Sequence, residues 1–194
     1  MKAALRTKMK QTLSAMPPEQ AAARSRRACE ALGGTPEFTA ARSVMIYMAM
    51  PAELDCSALA QACWAAGKSV LLPRVVWEER ALLALPWTSP EDRFDRGPFG
   101  IREPAGGEPV PIERIDLIVV PALAFDRRGH RLGRGGGLYD RFLADPRCRA
   151  LPCGIAFAEQ VLDELPRLEH DVPVRMLVTD MEVLRFGPAG QARS

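Results

Sequence analysis

Histidine is nearly absent, with two residues in 194, and the five cysteines contain no C-x-x-C pair. A zinc centre built from His and Cys is therefore excluded. The odd cysteine count, without framework spacing, speaks for free thiols and a reducing cytoplasm. Cys56 and Cys63, seven apart on an expected helix, read as shared packing. Aromatics make up only 6%, a thin supply for the stacking platforms of single-stranded nucleic-acid binders. No apolar run is long. Residues 117–125 form the longest, nine residues with Pro121 inside it, whereas a membrane-spanning helix needs roughly 20. The basic opening, residues 1–16, lacks the apolar segment of a secretory signal. No Ser-His-Asp or Cys-His arrangement stands out, so nothing in the chain advertises a protein nucleophile.

What is present is an ordinary globular balance, 47% hydrophobic and 26% charged, enough for one sizeable core. The net charge of +2 is uneven: residues 126–149 hold seven arginines against three aspartates. A local positive field of this kind suits an anionic ligand or a solvated face. Leu5, Met9, Leu13 and Met16 mark an apolar stripe on a first helix, and Pro17-Pro18-Glu19 opens a second that Gly33-Gly34 stops. Strands are expected at 43–48, 69–72, 81–85, 117–120, 152–156, 176–179 and 182–185. Helices are expected at 55–66 and from Leu138 onward. Residues 88–111, rich in proline, glycine and charge, read as a long loop, and the three tryptophans as packing or surface.

Strands alternating with helices predict an α/β fold, a three-layer single domain over residues 1–186. Its sheet is mainly parallel, with helices on both faces, and residues 187–194 form a frayed tail. Ligands of such folds gather beyond the carboxyl ends of the strands. The loop of residues 125–140 is the first candidate. It runs F-D-R-R-G-H-R-L-G-R-G-G-G-L-Y-D. Gly133, Gly135, Gly136 and Gly137 permit positive φ and close backbone approach, so that successive amides and the following helix start face phosphate oxygens. Arg131 and Arg134 offer charged forks, and Asp140 is a hard oxygen ligand suited to Mg²⁺. The spacing matches neither the P-loop nor the dinucleotide fingerprint.

The same segment resembles the signature of the 5-formyltetrahydrofolate cyclo-ligase family, also called methenyltetrahydrofolate synthetase: F-D-x-x-G-x-R-L-G-[YR]-G-x-G-[YF]-Y-D. Phe125, Asp126, Gly129, Arg131, Leu132, Gly133, Arg134, Gly135, Gly137, Tyr139 and Asp140 fill it. Satellites extend the resemblance along nearly the whole chain: Lys2 and Arg6 as K-x-x-x-R, Pro73-Arg74, F-G-I-R-E-P at 99–104, His170-Asp171, and Leu177-Val178-Thr179. Leu138 stands where the family usually has Tyr or Phe, and Arg175 where it is often acidic.

The resemblance implies conversion of 5-formyltetrahydrofolate to 5,10-methenyltetrahydrofolate with MgATP, releasing ADP and phosphate. ATP would phosphorylate the formyl oxygen, and N10 of the folate would then close the ring, so the substrate carries its own nucleophile. By the same resemblance Lys2, Arg6 and residues Arg131, Leu132, Gly133, Arg134, Gly135, Gly136, Gly137, Leu138 and Tyr139 would line the ATP site. Arg134 would face the transferred phosphate. Asp140 and Asp171 would hold Mg²⁺; Met48, Glu53, Phe99 and Tyr139 would meet the folate. A cytoplasmic monomer is expected, with no nucleic-acid or membrane partner. Two competing readings differ in the acceptor or in kind: another ATP-dependent ligase or kinase on the same scaffold, or a non-catalytic nucleic-acid-associated relative.

Overall fold

The computed structural model describes residues 1–97, 100, 102–187, 192 and 193. The chain opens with α1 (Lys2–Ser14), which buries Met9 and Leu13 from the stripe read in the sequence. The next helix, α2 (Pro18–Gly33), has Pro at its first position and buries Ala28, Cys29 and Leu32. A third, short helix was not expected: α3 (Pro36–Ala40), where the Thr35 side chain caps the Phe38 amide. Five residues are too few to display helical periodicity, although the Thr-Pro pair is a start signal.

There follow β1 (Ser43–Met45), α4 (Ser57–Ala65), β2 (Ser69–Val76), β3 (Ala81–Pro86), β4 (Phe94–Arg96) and β5 (Arg102–Pro104). The second half runs through β6 (Leu117–Val120), β7 (Ala124–Asp126), β8 (Arg131–Leu132), α5 (Leu138–Leu143), β9 (Leu151–Ala156) and β10 (Val161–Leu162). It closes with β11 (Met176–Thr179), β12 (Val183–Phe186) and β13 (Ala192–Arg193). Eight strands form the main sheet in the order β13-β12-β11-β9-β6-β1-β2-β3. The five central strands, from β11 to β2, are parallel, and antiparallel strands finish both edges.

Both faces are covered, as a mainly parallel sheet requires. Along each strand alternate residues go to opposite layers. Val44, Leu117, Val119 and Ile155 pack with α1 to α4, while Met45, Ile118, Val120 and Ala156 pack with Tyr139, Phe142 and Leu143 around α5. Gly154 is needed because a Cβ there would lie 2.5 Å from the ring of Phe125. Trp64 and Trp87 meet edge to face at 4.9 Å, and Trp77 is 38% exposed. The five cysteines are free thiols; Cys56 and Cys63 share one core layer.

Three expectations are corrected. The first strand stops at Met45 instead of residue 48: the Ile46 amide still bonds Leu71, but Tyr47 then turns to place its hydroxyl 2.9 Å from the Leu54 carbonyl. The second strand runs on through Pro73 to Val76. β1 pairs only as far as Leu71, so Pro73 faces no neighbour that needs its missing N–H, and β3 holds the other side. The loop of residues 88–111 contains an antiparallel hairpin, β4–β5, and a bridge from Val110 to Ala84. In the tail expected at 187–194, Ala192–Arg193 pairs with β12; residues 188–191 and 194 lie outside the described residues.

Candidate active site

From β1 the chain passes through α4 to β2 on one side of the sheet. From β6 it proceeds to β9 and β11 on the other. The loops leaving β1 and β6 therefore diverge, and the crevice between them is the switch point where such folds bind ligands. A cavity of about 290 Å³ occupies it. One wall comes from the start of α1 and the glycine loop, carrying Lys2, Arg6, Arg131 and Arg134. The other comes from the β2–β3 pair and the hairpin, carrying Pro73, Val75, Leu82, Arg102 and Glu103. The first wall is cationic. The second is largely apolar.

The glycine loop is more ordered than expected. β8 pairs with β7 inside it, and Asp126 (fully buried) ties the turn between them. One Asp126 oxygen accepts from the amides of Arg128 and His130, both at 2.9 Å; the other meets His130 Nδ1 at 3.0 Å. Of the four glycines between 133 and 137, only Gly135 (φ +111°) and Gly137 (φ +63°) take left-handed conformations, so Gly133 and Gly136 do not need glycine's freedom of φ. Nor does the following helix offer a strong positive end, since α5 has six residues.

α1 docks on this loop through its basic residues. Arg6 Nε donates to the Gly133 carbonyl at 2.9 Å, and Lys2 Nζ to Asp171 Oδ2 at 2.7 Å. Burial raises the Asp171 carboxyl, but Lys2 and the Leu168 amide outweigh it and hold the group below its usual range. Arg131 is buried. Its guanidinium donates to the Val172 carbonyl and, at 2.6 Å, to Asp140 Oδ1. Burial pulls Arg131 below its ordinary value while Asp140 and Asp171 oppose the shift. Arg134 spans the crevice to Glu53 Oε1 at 2.7 Å, and Glu53 Oε2 accepts from the Met50 amide. The Tyr139 hydroxyl is buried with no hydrogen-bond partner among the described residues; burial pushes its pKa far up.

The structure brings together Lys2, Arg6, Met48, Glu53, Asp140, Asp171 and every residue from Arg131 to Tyr139 around one cavity. Phe99 lies outside the described residues. Two placements differ from expectation: Arg134 and Glu53, read as contacts for different substrates, contact each other, and Asp140 is already paired to a buried cation. Among the described residues no group of three or more His, Cys, Asp or Glu could hold a metal. One oxygen each of Asp140 and Asp171 nevertheless has no partner among the described residues: Arg131 and the Val172 amide both use Oδ1 of Asp140, and Lys2 and Leu168 both use Oδ2 of Asp171. That donor set fits Mg²⁺, which takes one or two carboxylates and completes its shell with phosphates and water. Sequence reading missed Met50, Val75, Leu82, Arg102, Glu103 and Ala122 as lining residues. Only Arg102 and Glu103 carried a signal, the F-G-I-R-E-P match.

The model of the 5-formyltetrahydrofolate cyclo-ligase family matches residues 1–180. The Escherichia coli K12 5-formyltetrahydrofolate cyclo-ligase is 32% identical over 179 residues, covering 90% of this chain and 98% of its own. The mouse protein of the same name is 28% identical over 185 residues, covering 89% and 90%. Among solved structures, the Aquifex aeolicus 5,10-methenyltetrahydrofolate synthetase superposes with a TM-score of 0.84 at 35% identity, covering 100% of this chain and 95% of that one. The Mycoplasma pneumoniae synthetase shares the fold, with a TM-score of 0.75 at 18% identity, covering 92% and 98%.

Proposed function

The chain belongs to the 5-formyltetrahydrofolate cyclo-ligase family and is an enzyme of methenyltetrahydrofolate synthesis; from that premise we propose how its crevice performs the reaction. ATP lies along the cationic wall with its phosphates among Lys2, Arg6, Arg134 and the amides of residues 133–137. The formyl folate lies against the apolar wall beside Met48. Arg134 leaves Glu53 and turns to the transferred phosphate, a charge-assisted bond stronger than the exposed ion pair it replaces. Glu53 is thereby freed toward the folate, and the unpartnered Tyr139 hydroxyl donates to whichever substrate oxygen reaches it.

Asp140 and Asp171 would hold Mg²⁺ through their free oxygens. The ion would neutralise charge on the phosphates. Arg131, locked between Asp140 and the Val172 carbonyl, orients Asp140. Protein groups then only position and stabilise charge: the formyl oxygen takes the phosphoryl group, N10 attacks the formyl carbon, and phosphate departs. The reading extends to a cytoplasmic monomer working without nucleic acid or membrane. Its described helices include none long and apolar enough to cross a bilayer.

The observation that carries this proposal is a single cavity with cations on one wall and an apolar surface on the other. Its test is a mixture of protein, MgATP and 5-formyltetrahydrofolate. The near-ultraviolet band of the methenyl product should grow in step with ADP, and only when all components are present. ADP released at the same rate with a folate lacking the 5-formyl group would refute the acceptor.

A further inference from the structure

Two carboxylates on different walls of the cavity behave differently. Glu53 is fully engaged by Arg134 and the Met50 amide. Glu103, on β5, is 8% exposed and lines the same cavity, yet among the described residues no cation pairs with it. Its Oε1 accepts from the Val75 amide at 3.2 Å, and among the described residues Oε2 has no hydrogen-bond partner. The nearby arginines are otherwise occupied: Arg74 bonds the Pro104 carbonyl, and Arg102 lies 4.5 Å over the Phe94 ring. Gly97 packs against the carboxyl group so closely that a Cβ there would fall 2.9 Å from Glu103 Cδ.

A carboxylate withdrawn from water without a cation or a full set of donors is unfavourable. It shares the cavity lining with Pro73, Val75 and Leu82, whose apolar side chains have no donor to give it. Among the described residues no group supplies the remaining donors, and an occupant of the cavity can. A flat ring bearing two adjacent N–H donors on one edge meets both demands: its face covers the apolar residues, and its edge forks onto the carboxylate. The 2-amino-4-oxopteridine of a folate has that edge, in its N3–H and 2-amino group.

We propose that Glu103 is the specificity residue that reads the 2-amino, N3–H edge of the folate ring. The inference rests on the function proposed above and deepens it. It places recognition of this ring edge on the hairpin wall, apart from Glu53.

The test compares 5-formyltetrahydrofolate with its 2-deamino-2-methyl analogue as substrates for the wild type, Glu103→Gln, Glu103→Ala and Glu53→Gln. The wild type should prefer the amino compound by about 10- to 150-fold in kcat/KM, the range for a bond to a charged acceptor. Glu103→Ala should lose that preference and leave the KM for ATP unchanged. Glu103→Gln can still accept from Val75 and keep the hairpin docked, so it carries the test should the alanine variant not fold; its preference should fall several-fold. Undiminished preference in the Glu103 variants, or its loss in Glu53→Gln alone, would overturn the inference while leaving the enzyme's function intact. A wild type that turns over neither folate would overturn the function, and this inference with it.

Discussion

Two charged clusters join distant parts of this chain, and they differ in completeness. Arg24, on the face of α2 toward the sheet, makes four hydrogen bonds to Asp180 and Glu159, the shortest to Glu159 at 2.5 Å. Asp180 is 1% exposed and also accepts from the Ala158 amide. The bonds from Glu159 and Asp180 raise the guanidinium's pKa. Around the crevice the cations are only half-used. Arg134 is 37% exposed and spends its charge on Glu53, while among the described residues Arg6 bonds a single backbone carbonyl. Among the described residues no group bonds Glu103 Oε2 or the Tyr139 hydroxyl, which leaves both open to a ligand. A closed cluster ties α2 to the ends of β9 and β11. The open one has capacity left for a ligand.

Breaking the closed cluster should have the largest effect. Arg24→Met leaves the buried Asp180 without its hydrogen-bonded cation, only the exposed Arg27 remaining 3.9 Å away, a loss that costs about 3–5 kcal/mol. Melting temperature should fall by roughly 6–20 °C, with kcat at low temperature near wild type, since Arg24 does not line the cavity. Calorimetry together with initial rates would check both halves. Arg134→Ala should invert the pattern. Melting temperature should move little, because a partly exposed ion pair contributes about 0–1 kcal/mol. Catalytic efficiency should drop about 10- to 150-fold for the lost bond to phosphate.

Asp140→Asn sharpens the comparison because it belongs to both classes. Its Oδ1 can still accept from Arg131 and Val172, but the charge beside a buried guanidinium is gone, so some stability is lost whatever else Asp140 does. The distinguishing measurement is activity against MgCl₂. The optimum should shift to higher Mg²⁺ in the variant and stay put in Arg24→Met. The smallest effect is in acid. The Asp180 and Glu159 carboxyls sit below their ordinary range in the folded state, held there by Arg24 against the opposing effect of burial. A depressed folded pKa means stability that is complete above the unfolded value, about pH 4 to 5, and is lost as pH falls through the folded one. The wild-type melting temperature should therefore decline below about pH 4, and that decline should be shallower in Arg24→Met.

The glycine loop and its satellites were legible because the open cluster is built from residue types whose chemistry is visible in isolation: arginines among glycines, with an aspartate following. Long periodic elements were legible too, since Met9 and Leu13 or the run 117–120 announce their burial by spacing. Arg24 was not. In the sequence it is one basic residue among several on an amphipathic helix, and its burial depends on Glu159 and Asp180, more than 130 positions away. The same holds for β8, two residues made a strand only by pairing with β7, and for the β4–β5 hairpin, whose short strands alternate too briefly to register. Glu53 and Arg134 were each recognised, but their mutual contact spans 81 residues, and no local pattern encodes it.

The most direct test of the open cluster as the anion site is the melting temperature with and without saturating MgATP. Ligand at about 100 times its Kd stabilises the folded state by about 2.7 kcal/mol, worth roughly 5–11 °C in a chain of this length. Wild type and Arg24→Met should rise by similar amounts from their different starting points, and Arg134→Ala by clearly less. No rise in the wild type, or an equal rise in Arg134→Ala, would contradict the account.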